Sequence, residues 1–367
     1  MKKLLVFLWA LLAVSASVSA QGQTATLQQG DKMTLFYGPD AFVQAYNAAQ
    51  KGAVITLSAG EFNTVDSIMK EVTIIGNGYR ENKTVIKPKV FDSYSRKTIS
   101  IIIKADNVTL EGLDMICVFI RNSNHLTIRH CNIYNLIGVT SNYSDDYKTV
   151  SKHKNTIVDQ CIIGSDEASS GDNYCIKNSI VGGFFFHNGG DATNTLVMNC
   201  LFGYPDGKDG GGHLGHAVYK NCLIGACFAA DDNEISGITE CEFYDNVFFG
   251  GLNWRNLFED GLRHVKLTLN SDTRWQTPTM NMTESQTFKG NTTASYSAIF
   301  GDSDDENPLL APIITTITGD DGKVVGPYGG TGFSWNPGIP RIVDSQIDSY
   351  TDSEGKLNAK IKVELNN

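Results

Sequence analysis

The amino-acid sequence predicts an all-β fold, a right-handed parallel β-helix, and three observations support it. A short phrase that contains cysteine recurs about every 20 residues. The 367 residues include 36 glycines and only 9 prolines, which suits short strands joined by many turns. One helical pattern precedes the repeats and two alternating segments follow them, as expected for a solenoid whose open ends are covered.

The repeated phrase reads apolar–x–apolar–x–polar–Cys–x–apolar, and we call its cysteine position the slot. The copies place these residues in the slot: Gly76, Gly112, Cys131, Cys161, Ser179, Cys200, Cys222 and Cys241. Most neighbouring slots lie about 20 residues apart, the length of one coil of a β-solenoid. Coils stacked about 4.8 Å apart would bury one continuous core and align the slot residues in a ladder. Asn178, Asn199 and Asn221 precede three successive slots, and their amides could hydrogen-bond along the axis.

The slot residues are expected to be small, buried side chains at a tight inward corner. Eight cysteines in an exported chain would ordinarily indicate disulfides. Stacked side chains that point the same way fit disulfide geometry poorly, so the ladder favours buried thiols. Cys117, Cys175 and Cys227 lie off the ladder, and their redox state stays open.

The first 20 residues have the pattern of a signal peptide. Lys2 and Lys3 precede an apolar run over residues 4–14, and Val18-Ser-Ala20 gives a small-x-small exit. Because the run is too short to span a bilayer, we expect cleavage after Ala20 and a secreted, periplasmic or outer-surface location. The rest of the chain divides into a β-helix domain over residues 21–300 and a turn-rich C-terminal segment over residues 301–367.

Both ends of the repeats have patterns that suit covering segments. Apolar residues fall at helical spacing within residues 39–52, which predicts an N-terminal capping helix. Residues 341–349 and 356–365 alternate in polarity on either side of a turn. This alternation predicts a C-terminal β-hairpin packed on the solenoid.

The charge balance excludes some classes of partner. Basic residues number 30 and acidic residues 40, and the formal net charge of −10 should not attract nucleic acid or anionic lipid. No segment after residue 20 is apolar enough for a membrane span, so we expect a soluble protein, and a monomer. An acidic surface suits cations and neutral or cation-bridged glycans, although ordinary solubility explains it equally well.

Two segments resemble known proteins. The opening, with Asp40-Ala-Phe-Val-Gln-Ala-Tyr46 and Val72-Thr-Ile-Ile-Gly76, resembles the start of pectin-lyase-like β-helix proteins, pectinesterases in particular. The tail, with Gly326-Pro-Tyr-Gly-Gly330, resembles the closing segment of exported β-helix proteins of Bacteroidota-type bacteria, many of which have no assigned activity. The resemblance implies the fold and, by analogy, a link to plant or microbial polysaccharides.

The catalytic motifs of that family are missing from this chain. It contains no Asn-Thr-Asp motif, and Gly212-His-Leu-Gly-His216 precedes Asp231-Asp232, the reverse of the order in polygalacturonase-like enzymes. The Trp-Ile-Asp-His signature of pectate lyases and the Arg-Pro-Trp of pectinesterases are also absent. The resemblance therefore assigns no catalytic residue.

Polar loops follow the last four slots, and coils in register should bring these loops out on one side. They carry the candidate catalytic residues Asp209, His213, Asp231, Asp232 and Arg255, and the candidate substrate-binding residues His187, Tyr204, His216 and Trp254. Asp209, Asp231 and Asp232 are also candidate metal ligands, because stacked carboxylates can hold a hard cation such as Ca²⁺.

These residue types suit a lyase-like or hydrolase-like groove. A histidine near the acids could abstract a proton, Arg255 could neutralise a uronate, and aromatic rings could stack on sugars. Ordinary turn chemistry accounts for the same Asp-Gly and Asp-Asp-Asn runs, and Arg255 could simply pair with Glu259. Two hypotheses therefore stay open: an enzyme that acts on a polysaccharide or oligosaccharide, and a non-catalytic carbohydrate-binding or cell-surface structural protein.

Overall fold

The computed structural model describes residues 22–80, 82–92, 97–138, 153–167, 173–182, 195–202, 217–224, 242–249, 265–268, 279–282, 292–294, 317–334, 340–347 and 359–365. Within these ranges the chain is mostly β-strand with one α-helix, and most strands lie in parallel sheets. The predicted all-β class is therefore confirmed. The helix in these ranges is too short to cross a membrane.

The strands are short, and the helix lies near the N-terminus. The elements up to residue 137 are β1 (Thr24–Gln29), β2 (Lys32–Tyr37), α1 (Ala41–Ala48), β3 (Ala53–Leu57), β4 (Gly60–Phe62), β5 (Val72–Ile75), β6 (Thr84–Ile86), β7 (Val90–Asp92), β8 (Lys97–Ile99), β9 (Ile101–Ile103), β10 (Thr109–Glu111), β11 (Asp114–Ile120), β12 (Thr127–Arg129) and β13 (Asn132–Ile137). The later elements are β14 (Ile157–Asp159), β15 (Ile162–Glu167), β16 (Cys175–Lys177), β17 (Ile180–Val181), β18 (Thr195–Met198), β19 (Leu201–Phe202), β20 (Ala217–Lys220), β21 (Leu223–Ile224), β22 (Glu242–Tyr244), β23 (Val247–Phe249), β24 (Val265–Thr268), β25 (Thr279–Met282), β26 (Thr292–Ala294), β27 (Pro340–Ile347) and β28 (Ala359–Leu365).

Two long sheets contain most of these strands. Sheet A has the order β2-β1-β3-β5-β10-β12-β14-β16-β18-β20-β22, and sheet B has the order β26-β23-β21-β19-β17-β15-β13-β11-β6-β4, with β9 beside β11. From β3 onward the neighbours in sheet A are parallel, and the chain passes alternately between the two sheets. We call one strand of sheet A, the corner after it and the next strand of sheet B a repeat. This alternation is compatible with the predicted β-helix.

The buried face of each sheet is a column of apolar side chains. The buried columns are Ile74, Leu110, Ile128, Val158, Ile176, Val197 and Tyr219 in sheet A, and Ile86, Met115, Ile133, Ile163, Val181 and Ile224 in sheet B. All of them belong to one core cluster. Each repeat therefore adds large side chains to a shared core, and full burial of one such side chain contributes about 1.5–3 kcal/mol.

The corner between the two sheets is two residues long, and its first residue has a positive φ. This angle lies between 46° and 67° at Gly112, His130, Gln160, Asn178, Asn199, Asn221 and Asp245. Glycine adopts this region without strain, and asparagine and aspartate tolerate it better than most residues. The residue after each of them occupies the slot.

The strand register corrects the expected slot assignments at both ends of the ladder. Glu111 pairs with Arg129, so Gly112 holds the positive-φ position and Leu113, not Gly112, is level with Cys131. Gly76 is level with Gly112 and is likewise outside the slot.

At the other end, Lys220 pairs with Tyr244, so Asn246 rather than Cys241 is level with Cys222. The pattern was misleading because a corner glycine resembles a small slot residue, and because Cys241 follows Cys222 at the usual spacing of about 20 residues whereas Asn246 lies farther along the chain.

Several slot side chains reach the backbone of the preceding repeat. The hydroxyl of Ser179 accepts a hydrogen bond from the N–H of Cys161 at 3.1 Å, and Oδ1 of Asn246 accepts one from the N–H of Cys222 at 2.9 Å. The thiol of Cys200 accepts a hydrogen bond from the N–H of Ser179 in the same way. At Ser179, Cys200 and Asn246 the slot therefore holds a short side chain with an acceptor atom, a feature beyond the small size and burial that the sequence predicts, whereas Leu113 at the start of the ladder has no acceptor.

The ladder cysteines in the described ranges are buried thiols. Cys131, Cys161, Cys200 and Cys222 are fully buried and carry no disulfide, as the sequence predicts. Burial raises the pKa of the Cys161 and Cys200 thiols well above the ordinary value. These thiols therefore stay protonated at neutral pH.

Residues 317–334, which we call the strap, run along the positive-φ column. Nδ2 of Asn178 donates to the carbonyl oxygens of Pro327 at 3.0 Å and Gly329 at 2.6 Å, and Oδ1 of Asn178 accepts a hydrogen bond from the hydroxyl of Thr331 at 2.7 Å. Both donors of the Asn178 amide are thus used on the strap. The expected hydrogen bond from this amide to the next asparagine of the ladder is not formed.

The two ends of the strap lie at different repeats. Near one end, Asp320 lies 2.7 Å from Lys220 and accepts a hydrogen bond from Asn221. Hydrogen bonding to Lys220 lowers the pKa of Asp320 below its ordinary value of 3.8. Near the other end, the N–H of Ser334 donates to Oε1 of Gln160 at 2.9 Å. The strap therefore runs against the order of the repeats.

Additional elements lie at both ends of the chain. The hairpin β1–β2 continues sheet A in antiparallel fashion, and α1 packs against β1, β2 and β3 where the sequence predicts a helix. Asp40 stands at the N-cap of α1, but its carboxylate accepts a hydrogen bond from Asn63 rather than from the helix backbone. Near the C-terminus β27 and β28 pair in antiparallel fashion, which confirms the pairing predicted for the hairpin, and its packing on the solenoid stays a prediction.

Candidate functional site

The site residues that the sequence predicts lie outside the described residues. They are His187, Tyr204, Asp209, His213, His216, Asp231, Asp232, Trp254 and Arg255. The structure does describe the strands from which their loops begin and to which most of them return.

The loops that carry these residues begin on adjacent strands. β13, β15, β17, β19, β21 and β23 are neighbours in that order in sheet B, and we call their carboxyl ends the loop edge. Val181 pairs with Phe202, and Phe202 is level with Ile224. The segments that leave these strands and return to β18, β20 and β22 are 183–194, 203–216 and 225–241. The strands from which these segments leave therefore lie side by side, and so do the strands to which they return.

A buried polar cluster that the sequence did not predict lies beneath the loop edge. The hydroxyl of Tyr174 donates to Oδ2 of Asp166 at 2.7 Å. The imidazole of His153 meets the ring of Tyr174 edge-on, with centroids 5.8 Å apart, and its Nδ1 lies 3.1 Å from the hydroxyl of Thr156. Burial, and then the nearby Asp166 carboxylate, raise the pKa of Tyr174 well above its ordinary value. Tyr174 therefore remains a hydrogen-bond donor at any physiological pH.

The cluster joins the stems of two loops. Asp166 lies just before segment 168–172 and Tyr174 just after it, whereas His153 follows segment 139–152. All these groups are almost completely inaccessible to solvent, so they can hold the loop stems in place but cannot touch a ligand.

Alignment of the strands of sheet B in register could have predicted the polar cluster from the sequence. Asp166 pairs with Leu136, which pairs in turn with Val118, so the carboxylate falls in a buried apolar column. A carboxylate in such a column needs a partner, since burial of an unpaired polar group costs several kcal/mol, about 2–7 by transfer measurements. Tyr174 supplies this partner.

An exposed aromatic surface, which we call the tyrosine patch, lies on the outer face of sheet B. It consists of Ile116, 46% exposed, Tyr134, 69% exposed, and Gly164 on three adjacent strands. A β-carbon at Gly164 would lie 2.7 Å from the carbonyl oxygen of Tyr134, so no side chain fits there. The phenol ring of Tyr134 therefore has a flat surface beside it.

Polar groups border the tyrosine patch on the neighbouring column of sheet B. Nδ2 of Asn132 donates to Oδ1 of Asp114 at 2.9 Å, and Nζ of Lys83 lies 2.7 Å from Oδ2 of the same carboxylate. The patch thus combines an apolar ring face with an amide, a carboxylate and an ammonium group. β13, which carries Tyr134, ends at the loop edge.

The described residues contain no group of three or more His, Cys, Asp and Glu side chains placed to hold a metal ion. The expected Ca²⁺ ligands Asp209, Asp231 and Asp232 lie outside these residues, so their role stays a prediction.

Comparison of the chain with protein-family models, with curated proteins and with solved structures finds no match in any of the three. The resemblance to pectin-lyase-like proteins therefore rests on the two quoted segments alone. Any functional conclusion must be argued from the chemistry of the site.

Proposed function

We propose that this protein is an exported glycan-binding protein whose ligand, a polysaccharide or oligosaccharide, lies across the tyrosine patch and the loop edge. The observation that carries the proposal is Tyr134, 69% exposed on a sheet face that has no side chain beside it at Gly164. Aromatic rings offer an apolar face to the C–H face of a sugar, and a few polar groups then fix its orientation. Asn132 and Asp114 are the polar groups nearest in register.

The loops would extend this surface along the stack of repeats. His187, Tyr204, His216 and Trp254 belong to segments that begin on adjacent strands of sheet B. Neighbouring strands lie about 4.8 Å apart, a spacing close to the length of one sugar ring. Successive sugars of an extended chain could therefore meet equivalent positions of successive repeats.

The acidic charge favours a neutral glycan, or an acidic glycan bridged by a cation. A net charge of −10 repels a bare polyuronate, because like charges oppose association. Asp209, Asp231 and Asp232 are the carboxylates that would hold Ca²⁺ between the protein and a uronate.

A polysaccharide lyase or hydrolase is the second candidate function. The adjacent strands that precede segments 203–216 and 225–241 favour it, since loops that begin there would carry Asp209 and His213 beside Asp231 and Asp232. Arg255 belongs to the segment that follows the next strand, and it would neutralise a uronate carboxylate.

We also propose a specific type of β-helix for the fold. The parallel repeats, the recurring corner and the two resembling segments support a right-handed β-helix of the pectin-lyase-like kind, exported as in Bacteroidota-type bacteria. The signal-peptide pattern over residues 1–20 supports the export.

The test is titration of the protein in solution with neutral and uronate-containing oligosaccharides, with and without Ca²⁺. We expect one class to bind, and Tyr134→Ala to weaken its affinity about ten-fold, which corresponds to the loss of about 1.4 kcal/mol of stacking. Tyr37→Ala is the matched control, since Tyr37 is 66% exposed on a different surface, and it should bind like the unmodified protein.

Product analysis of the same mixtures separates the two candidate functions. New reducing ends or unsaturated sugars would favour the enzyme, and binding without products would favour the binding protein. If no glycan of a broad panel binds or reacts, the proposal is wrong.

A further inference from the structure

The open edge of sheet A is formed by an unusually apolar strand. β2 is the last strand of this sheet, and among the described residues no strand pairs with its outer side. Met33, Leu35 and Tyr37 alternate along it and are 67%, 53% and 66% exposed. Exposed apolar edge strands are templates for pairing with another chain.

The backbone of the same three residues faces the open edge. The N–H of Gly38 donates to the carbonyl of Gln23 at 2.7 Å, and Tyr37 pairs with Thr24 in the register of β1 with β2. Hydrogen-bonded and non-hydrogen-bonded pairs alternate in an antiparallel ladder. The even-numbered residues of β2 therefore direct their N–H and C=O groups toward β1. The N–H and C=O groups of Met33, Leu35 and Tyr37 therefore point away from β1, toward the open edge of the sheet.

Beyond the exposed Lys32 at its start, β2 lacks the usual protection of an edge strand. Natural edges carry a charge, a proline or a β-bulge that prevents pairing. The stretch from Met33 to Tyr37 reads Met-Thr-Leu-Phe-Tyr and contains neither a charge nor a proline. Its register with β1 is continuous from Lys32 to Tyr37, without a bulge.

We propose that β2 pairs with β2 of a second copy of this chain, in antiparallel fashion about a two-fold axis at Leu35. This register places Leu35 opposite its own counterpart and Met33 of each copy opposite Tyr37 of the other. The three outward N–H groups of each copy then meet the three outward carbonyls of the other. The exposed side chains of both copies form one apolar stripe, an isologous interface.

A second copy fits this edge because antiparallel pairing about Leu35 sets apolar side chains opposite apolar side chains and gives a partner to every outward N–H and C=O group of Met33, Leu35 and Tyr37. Three side chains and one strand bury less than the roughly 800 Å² per partner of a standard interface. We therefore expect a weak dimer whose population rises with concentration. This state differs from the monomer that the composition led us to expect.

Sedimentation velocity over a wide range of concentration tests the association. The average mass should rise from that of one chain toward that of two, and Met33→Lys and Leu35→Lys should keep it at one chain at every concentration. Met69→Lys is the matched control, because Met69 is 63% exposed away from this edge, and it should associate like the unmodified protein.

Residue-resolved amide hydrogen exchange of the unmodified protein tests the register without a substitution. At low concentration the amides of Thr34 and Phe36 should be protected and those of Met33, Leu35 and Tyr37 should exchange fast. At high concentration all five should be protected. A protein that stays monomeric, a dimer that Leu35→Lys leaves intact, or odd-numbered amides protected in the monomer would each overturn the proposal.

Discussion

At the scale of single residues, the slot explains why cysteine, serine and asparagine occupy equivalent positions. Ser179 and Asn246 each accept a hydrogen bond from the backbone N–H of the preceding slot residue. Cys200 accepts one through its sulfur atom. A buried N–H without an acceptor costs about 1–3 kcal/mol, so these three positions favour an acceptor atom on a short side chain. This preference, rather than apolar character, accounts for serine, cysteine and asparagine at these positions; Leu113 at the first slot has no acceptor.

We expect Ser179→Ala to lower the free energy of unfolding by about 1–3 kcal/mol, because it leaves the buried N–H of Cys161 without an acceptor. Ser179→Cys should restore most of the loss, since its thiol can accept as that of Cys200 does. Equilibrium unfolding by urea measures both variants. Equal losses in the two variants would show that the acceptor atom is irrelevant.

At the scale of elements, the strap connects separate repeats through the residues of positive φ. Asn178 combines two roles, since its φ of 46° suits the corner and its amide holds the strap by three hydrogen bonds. Gly329 and Gly330 pass close to Asn199, where β-carbons would lie 2.7 Å from its amide atoms. The strap therefore fits this column only because two of its residues lack side chains.

Asn178→Gly separates the two roles of Asn178, because glycine keeps the positive φ and removes the amide. We expect faster amide hydrogen exchange in the strap and little change in the strands of sheet A. The matched control is Asn173→Gly, at a φ of 55° and bonded to Asn155 instead of the strap. If both variants loosen the strap equally, the hydrogen bonds of Asn178 do not hold it.

At the scale of the whole molecule, the sequence predicts the parts that depend on periodicity. The spacing of Cys131, Cys161, Cys200 and Cys222 was sufficient to place four repeats in register, because each repeat buries the same pattern. The strap could not be predicted, since it pairs residues about 150 positions apart, such as Asn178 with Gly329. Asp166 and Tyr174 were missed because inward and outward faces can be assigned only once the register is known.

The central claim is that parallel repeats stack in register, which also aligns the stems of the loops. Ile157 pairs with Cys175 on the next strand, whereas Thr127 lies two strands away from Cys175, and all three side chains are partly exposed. Dibromobimane, which fluoresces strongly once both of its ends have alkylated thiols, can therefore measure this register. We expect strong cross-linking to Cys175 in Ile157→Cys and none above the level of the unmodified protein in Thr127→Cys. Equal cross-linking in the two variants, or cross-linking in Thr127→Cys alone, would contradict the account.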